Sequence, residues 1–273
     1  MVEPLGESMR FKLSEQEREE VVALKKSCED NGVLYRSIFE LAKYSLVVRS
    51  LVKESDTKAA AKRTELALKR LKTRRKWEEK HGMKDIDNLQ ALKEVDAAAP
   101  GFFVVRYPKD NQGHNVVAHH FAYAPYKYMF ASKENLGKYL ACEQWRLDLG
   151  AADMEEARKG IAIVSIADGM WGLGGAYRYL RVLTKARDNC NDMHPNRVRH
   201  VYAEIPTFGH HLIEGGKKML PQKIASRIEV HHTLPDLEKD LCKADPKTDP
   251  QNIIDWAMQR NAVYEESVRK VTL

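Results

Sequence analysis

The stretch GIAIVSIADG, residues 160–169, decides the fold. Gly160 to Ala167 is an unbroken apolar run of strand length, rich in Ile and Val, and Asp168-Gly169 is a turn dipeptide that ends it. Such a run fits a strand buried on both faces. Alternation puts Ile161, Ile163, Ser165 and Ala167 on one face and Ala162, Val164 and Ile166 on the other. Downstream, GGAYRYLRVLTKARDN carries Leu180, Leu183 and Ala186 at helical spacing and stops before His194-Pro195. A second strand follows over 199–205 and Pro206 closes it. A weakly apolar helix then spans about 209–219, Pro221 restarts a helical turn, and RIEVHH, 227–232, is a third strand. Two crossovers of this length imply parallel neighbours with right-handed connections.

Working outward toward the N-terminus, Ser14 with Glu17 makes a capping box for a first helix carrying Val21, Val22, Leu24 and Cys28, and Asn31-Gly32 ends it. A second helix, about 36–52, is apolar at Ile38, Leu41, Ser45 and Val48, and Asp56 caps a long third one. This third helix carries Arg63, Lys69, Arg70, Lys72, Arg74, Arg75 and Lys76 against Glu65, Glu78 and Glu79. Such a face is either simply solvated or a contact for an acidic membrane, where each cation contributes roughly 1 kcal/mol. HGMKDIDN then reads as a linker. GFFVVRY and NVVAHHFAY flank PKDNQGH, a polar turn that joins them as a hairpin of strands one and two. A helical region over 132–158 has Leu136, Leu140 and Leu147 as its stripe, and the central stretch supplies strands three to five. Beyond it lie a helix after Pro235 and an amphipathic segment over 253–268.

The 273 residues, 43% of them hydrophobic, suffice for one large domain and a smaller one. No window reaches the ~18 to 20 charge-free apolar residues of a membrane span, and the charged N-terminal stretch lacks the apolar centre of a secretory signal. A soluble, cytoplasmic protein is expected. Cys28, Cys142, Cys190 and Cys242 match no metal or redox spacing and are expected as free thiols. A net charge of +6 favours anionic surfaces, but no aromatic residues interleave the basic helix as a nucleic-acid groove would require. Gly172-Leu173-Gly174 lacks the third glycine of a dinucleotide fingerprint, because Tyr177 stands there. The pairs His119-His120, His210-His211 and His231-His232 do not suit one metal, since neighbours on a strand point to opposite faces. No catalytic triad or metal site is expected.

Several local motifs, in order, resemble the CRAL-TRIO lipid-binding domain and its N-terminal helical extension, the superfamily of phosphatidylinositol-transfer and of tocopherol- and retinaldehyde-binding proteins. SLVVRSLVKESD and LKRLKTRRKWEEKHGM resemble the extension, the latter through Trp77 and Gly82. DNQGHNVVAHHFAYAPY resembles the family's polar turn, strand and Tyr-x-Pro entry, and IVSIADGMWG its third strand and Asp-x-x-Gly turn, with Asp168 matching. HPNRVRHVYAEIPTFGHHLI and LPQKIASRIEVHH resemble its last two strand segments.

The resemblance implies an α/β protein: an all-helical lobe over 1–86, then a lipid-binding domain over 87–273 including the C-terminal helix. In it, a mixed five-stranded sheet flanked by helices floors a lipid cavity closed by a gate helix. No cofactor is implied beyond one bound lipophilic molecule, presented at membranes by a non-enzymatic monomer. Lining residues expected on this basis are Leu136, Leu140, Phe121, Tyr123, Ile161, Ile163, Ser165, Ala167, Val201, Ala203, Ile205, Phe208 and Leu212. The gate segment departs from the family in carrying Gly215-Gly216, which weaken a helix by roughly 0.8 to 1 kcal/mol each. Arg197 and Arg199 before strand four, with Lys223 and Arg227 before strand five, fall at one edge of a parallel sheet. In tocopherol- and retinaldehyde-binding relatives the matching positions are basic and hold phosphoinositide headgroups, so an acidic membrane surface, or a phosphoinositide within it, is the implied partner, and nucleic acid is not. Phosphatidylinositol-transfer relatives have a glutamate where this chain has Asn196. A lipid- or phosphoinositide-sensing adaptor is the alternative, and a nucleotide-binding enzyme the remote one.

Overall fold

A computed structural model describes residues 9–52, 57–168, 193–205 and 222–273. It opens with α1 (Glu15–Asp30), α2 (Ile38–Arg49) and α3 (Thr57–Lys80). The capping box forms as expected: Ser14 N donates to Glu17 Oε2 at 2.8 Å and Glu17 N to Ser14 Oγ at 3.3 Å. Every side chain of α2 from Phe39 to Val48 is buried, so this short helix is wrapped on all sides rather than half-exposed. Between the expected linker over 81–88 and the first strand lies a helix the sequence reading leaves unassigned, α4 (Asn88–Ala98), N-capped by Asp87 and buried at Ala91, Leu92 and Val95.

The hairpin follows as β1 (Phe103–Val104), β2 (Lys109–Asp110) and β3 (Asn115–His120), then α5 (Tyr126–Met129), α6 (Lys133–Gly150), α7 (Met154–Lys159) and β4 (Ile161–Ile166). After it come β5 (Val198–Glu204), α8 (Gln222–Ala225), β6 (Ile228–His231), α9 (Leu234–Leu237), β7 (Leu241–Cys242) and α10 (Ile253–Lys270). The sheet runs β6-β5-β4-β3-β2-β7, with β1 pairing β3 farther along the same edge as β2. The protein is therefore α/β with a mixed sheet. Strands β3 to β6 are parallel, and β1, β2 and β7 are antiparallel additions.

Among the described residues the sheet has seven strands, not the expected five. The first expected strand, 101–107, pairs only at Phe103–Val104, and the expected polar turn instead supplies a second short strand, Lys109–Asp110, just after Pro108, which has no N–H to give to a ladder. A two-residue β7 adds to the outer edge of β2, where Asp110 pairs Leu241. The second expected strand stops at His120, and Phe121–Tyr123 turn in a 3-10 helix ahead of Ala124-Pro125.

Register sets the two faces. Val117, Ile163, Val201 and Ile228 lie in one row across β3 to β6, and His119, Ser165, Ala203 and Val230 in the next row of the same face. The opposite face holds Val116, Ala118, Ala162, Val164 and Tyr202, packed with Tyr107, Leu237 and Leu241. On the first face, α6 ends against the sheet at Gly150, where a Cβ would stand 2.9 Å from Val117 Cγ2. One hydrophobic cluster joins Val21, Leu24, Phe39, Tyr44 and Leu71 of the first three helices to Val117, Met154 and Ile161. The N-terminal helices and the sheet thus share a core, and residue 86 lies in the turn between α3 and α4. No described helix is long and apolar enough to cross a membrane. Cys28, Cys142 and Cys242 are free thiols.

Candidate functional site

The site is built from the lower edges of β4 and β5. Gly160 C-caps α7 at φ 91°, ψ −177°, a conformation open essentially to glycine alone. A Cβ there would lie 2.4 Å from the Arg197 carbonyl oxygen, so the close passage of the two chains also requires glycine. Ile161 N then donates to Arg197 O at 2.9 Å, and this bond starts the β4–β5 ladder.

Three of the four expected cations gather at this edge. Arg197 Nη1 donates to Arg158 O at 3.4 Å, Arg199 Nε to Lys159 O at 2.7 Å, and Arg227 Nη1 to Val198 O at 2.9 Å. Burial, then the charges of Arg199 and Arg227, hold the Arg197 guanidinium below its ordinary value. Arg199 is lowered by burial and by Arg227. Among the described residues none of the three pairs with a carboxylate, and Arg197 Nε is buried without a partner. Crowded like charges held only by backbone carbonyls are a ready receptor for an anion such as phosphate. The Lys223 side chain lies outside the described residues.

Beside this rim runs the first face of the sheet. Ile163, Ser165 and Val201 are half-buried there, whereas Ala167, Ala203 and Ile205 are buried. Ile161 is fully buried against the N-terminal helices rather than open to a hollow. The segments on either side of β5, 169–192 and 206–221, lie outside the described residues. With them go the gate, Phe208 and Leu212.

The remaining expected lining residues are elsewhere. Leu140 is buried among Phe102, Tyr139 and Cys142, and Phe121 joins that cluster from its 3-10 turn. Tyr123 is 54% exposed because the turn carries it off the strand. Leu136 lines a cleft of about 980 Å³ walled by charged residues including Glu79, Lys80, Glu94 and Lys138. Leu136, Leu140 and Phe121 belong with Leu92 and Val95 of α4 to a cluster that includes neither Ile163 nor Val201.

Two groups escaped the sequence. On the first face, His119 Nε2 lies 2.6 Å from Glu143 Oε2, and Arg146 Nη1 bridges to both while Arg146 Nη2 donates to Ala118 O at 2.9 Å. Burial would raise the Glu143 carboxyl, but the neighbouring His119 and Arg146 hold it below the usual range. The spacing of Glu143 and Arg146 within α6 was the only available signal, and it does not identify His119 as their partner. The second group is internal charge on α3: Arg63 pairs Glu20, Arg74 pairs Glu78 and Asp148, and Arg75 pairs Glu40 and Glu78. Those three arginines face inward, so they belong neither to a solvated face nor to a membrane contact. Asn196, where phosphatidylinositol-transfer relatives carry glutamate, donates to Leu147 O at 2.7 Å and ties the turn before β5 to α6.

No family model and no curated protein matches this chain.

Proposed function

We propose that the chain is a non-enzymatic carrier of one hydrophobic lipid, which it exchanges at acidic membrane surfaces. The reading is supported by one juxtaposition: a half-buried apolar row, Ile163 and Val201, next to an arginine trio with no described carboxylate partner. The row seats the acyl or isoprenoid part of the guest, and Arg197, Arg199 and Arg227, with Lys223, draw the protein to anionic headgroups. Apolar lining with a few placed charges is the usual composition of a lipid site. Nothing in this reading requires a reacting group, and the buried His119–Glu143–Arg146 set serves to fix α6 on β3.

Organic extraction of the purified chain followed by mass spectrometry tests the reading. It expects close to one lipid per protein, and acceleration of lipid exchange between vesicle populations. An empty protein that neither binds nor moves lipid overturns it. A lipid-loaded protein that does not accelerate exchange makes it a sensor in place of a carrier.

A further inference from the structure

On the sheet face opposite the proposed lipid seat, Asp110, His114 and His200 each offer one ligand atom, and these atoms all lie within 4.8 Å of one another. They come from separate places in the chain: the end of β2, the hairpin turn, and β5. We propose that this trio is a binding site for one divalent transition-metal ion of the zinc class.

The chemistry of the donors carries the assignment. Asp110 is 1% exposed, and its described partners are backbone amides, His114 and Tyr202, with no lysine or arginine paired to it. A buried carboxylate without a cation is costly, and a metal ion supplies the missing charge. Its two oxygens have divided roles. Oδ1 accepts from Gln112 N and His114 N at 3.0 and 2.8 Å, which fixes the turn. Oδ2 faces His114 Nδ1 at 2.9 Å and the Tyr202 hydroxyl at 3.3 Å.

His200 is oriented from behind. Its Nδ1 lies 3.1 Å from Glu229 Oε1 on β6, and its ring stacks on Tyr202 at 5.6 Å. The tautomer that donates Nδ1–H to Glu229 leaves the Nε2 lone pair for a metal, the carboxylate–histidine–metal arrangement. The His114 and His200 rings are 5.4 Å apart between centroids. Zinc held at about 2.0 to 2.2 Å needs tetrahedral donors about 3.4 Å apart. Asp110 Oδ2 and His114 Nδ1 stand 2.9 Å apart, a hydrogen-bond contact that a bound ion replaces by widening, and the His200 ligand atom lies within 4.8 Å of both, so shifts of about an ångström bring the three donors to coordination distance. Two imidazoles and one carboxylate leave a coordination position for water, and such a set suits zinc, cobalt or iron rather than calcium or magnesium.

The test uses the full chain stripped with chelator. Titration with Zn²⁺ by calorimetry, and with Co²⁺ by its visible absorption, is expected to give about one equivalent. His114→Gln and His200→Gln are each expected to weaken binding at least tenfold, and Glu229→Gln by about 10- to 100-fold as an outer partner. His231→Gln and Cys242→Ser, neighbours outside the trio, are expected to leave it unchanged. Circular dichroism and unfolding of the metal-free variants confirm that they fold. A wild-type chain that binds neither ion at 100 µM overturns the site. So does binding that survives both histidine variants, or that disappears with His231→Gln or Cys242→Ser.

Discussion

Arg74 on α3 donates from Nη2 to Asp148 Oδ2 on α6 at 2.7 Å, with the two side chains only 2% and 10% exposed. Lys43 reaches the same carboxylate at 3.5 Å, and its ammonium also donates to Asp148 O and Ala151 O. The first three helices are therefore fastened to the helix that packs on the sheet by a buried charge cluster. Breaking one member strands the others in low dielectric.

A double-mutant cycle over this contact is expected to be strongly non-additive. Asp148→Asn and Arg74→Met should each cost about 3 to 5 kcal/mol, and the double variant clearly less than their sum. Urea unfolding of the four proteins measures it. Additive losses would mean that the ion pair does not hold the two layers together.

The same carboxylate fixes a pH dependence. Burial would raise it, but the charges of Arg74 and Lys43 outweigh burial and hold Asp148 far below the usual carboxylate range. A depressed folded value gives stability that is complete above the unfolded carboxylate value near 4 and is lost as pH falls through the folded one. Unfolding free energy should therefore fall on acidification below about pH 4, and the fall should be shallower in Asp148→Asn. Parallel curves for the two proteins would remove Asp148 from the acid response.

Gly160→Ala should destabilise by about 3 kcal/mol or more. The backbone region costs on the order of 1 to 3 kcal/mol for any other residue, and the added methyl also meets Arg197 O. The denaturation midpoint measures it. A change under about 0.5 kcal/mol, the range of an inert surface site, would show that the β4–β5 edge relaxes freely.

Neutralising charge at the rim bears on the proposed function. Replacing Arg199 and Arg227 by Gln removes two cations worth roughly 1 kcal/mol each near an acidic surface, which is about 30-fold in affinity. Co-sedimentation with vesicles of 30% phosphatidylserine should show that loss, with bound lipid retained. Unchanged sedimentation would make the rim a structural feature alone.

The parallel core of the fold was legible because β4 is apolar at every position but Ser165 and the crossovers on either side are long. Local chemistry also reported well: Ser14 and Glu17 announced α1, and Pro235 lies in the first turn of α9. The signal failed where pairing rather than pattern makes the element. β7 exists only because Leu241 and Cys242 meet β2, and α4 goes unassigned although Asp87 caps it and Leu92 and Val95 share a face. Three arginines of the rim were found from strand order, since parallel strands bring their leading residues to one edge. Asp110, His114 and His200 could not be found that way, because a curl of the sheet rather than its register brings the β2 edge to β5. Alternation argues against adjacent histidines as joint ligands, but it carries no information on distant ones.

The apolar row yields the sharpest check on the carrier reading. Val201 pairs Ile163 across β4 and β5 and both are half-buried, so this is where added volume intrudes on a guest and not on the packed core. Val201→Trp should leave thermal stability nearly unchanged, whereas a large residue forced into a filled core costs about 1 to 3 kcal/mol. It should also cut the lipid-to-protein ratio in organic extracts at least fivefold. Asn196→Ala supplies the contrast, because losing its bond to Leu147 O weakens the fold by about 1 kcal/mol without touching the row. If Val201→Trp carries as much lipid as the wild-type chain, the guest does not rest on β4 and β5, and the carrier proposal loses its seat.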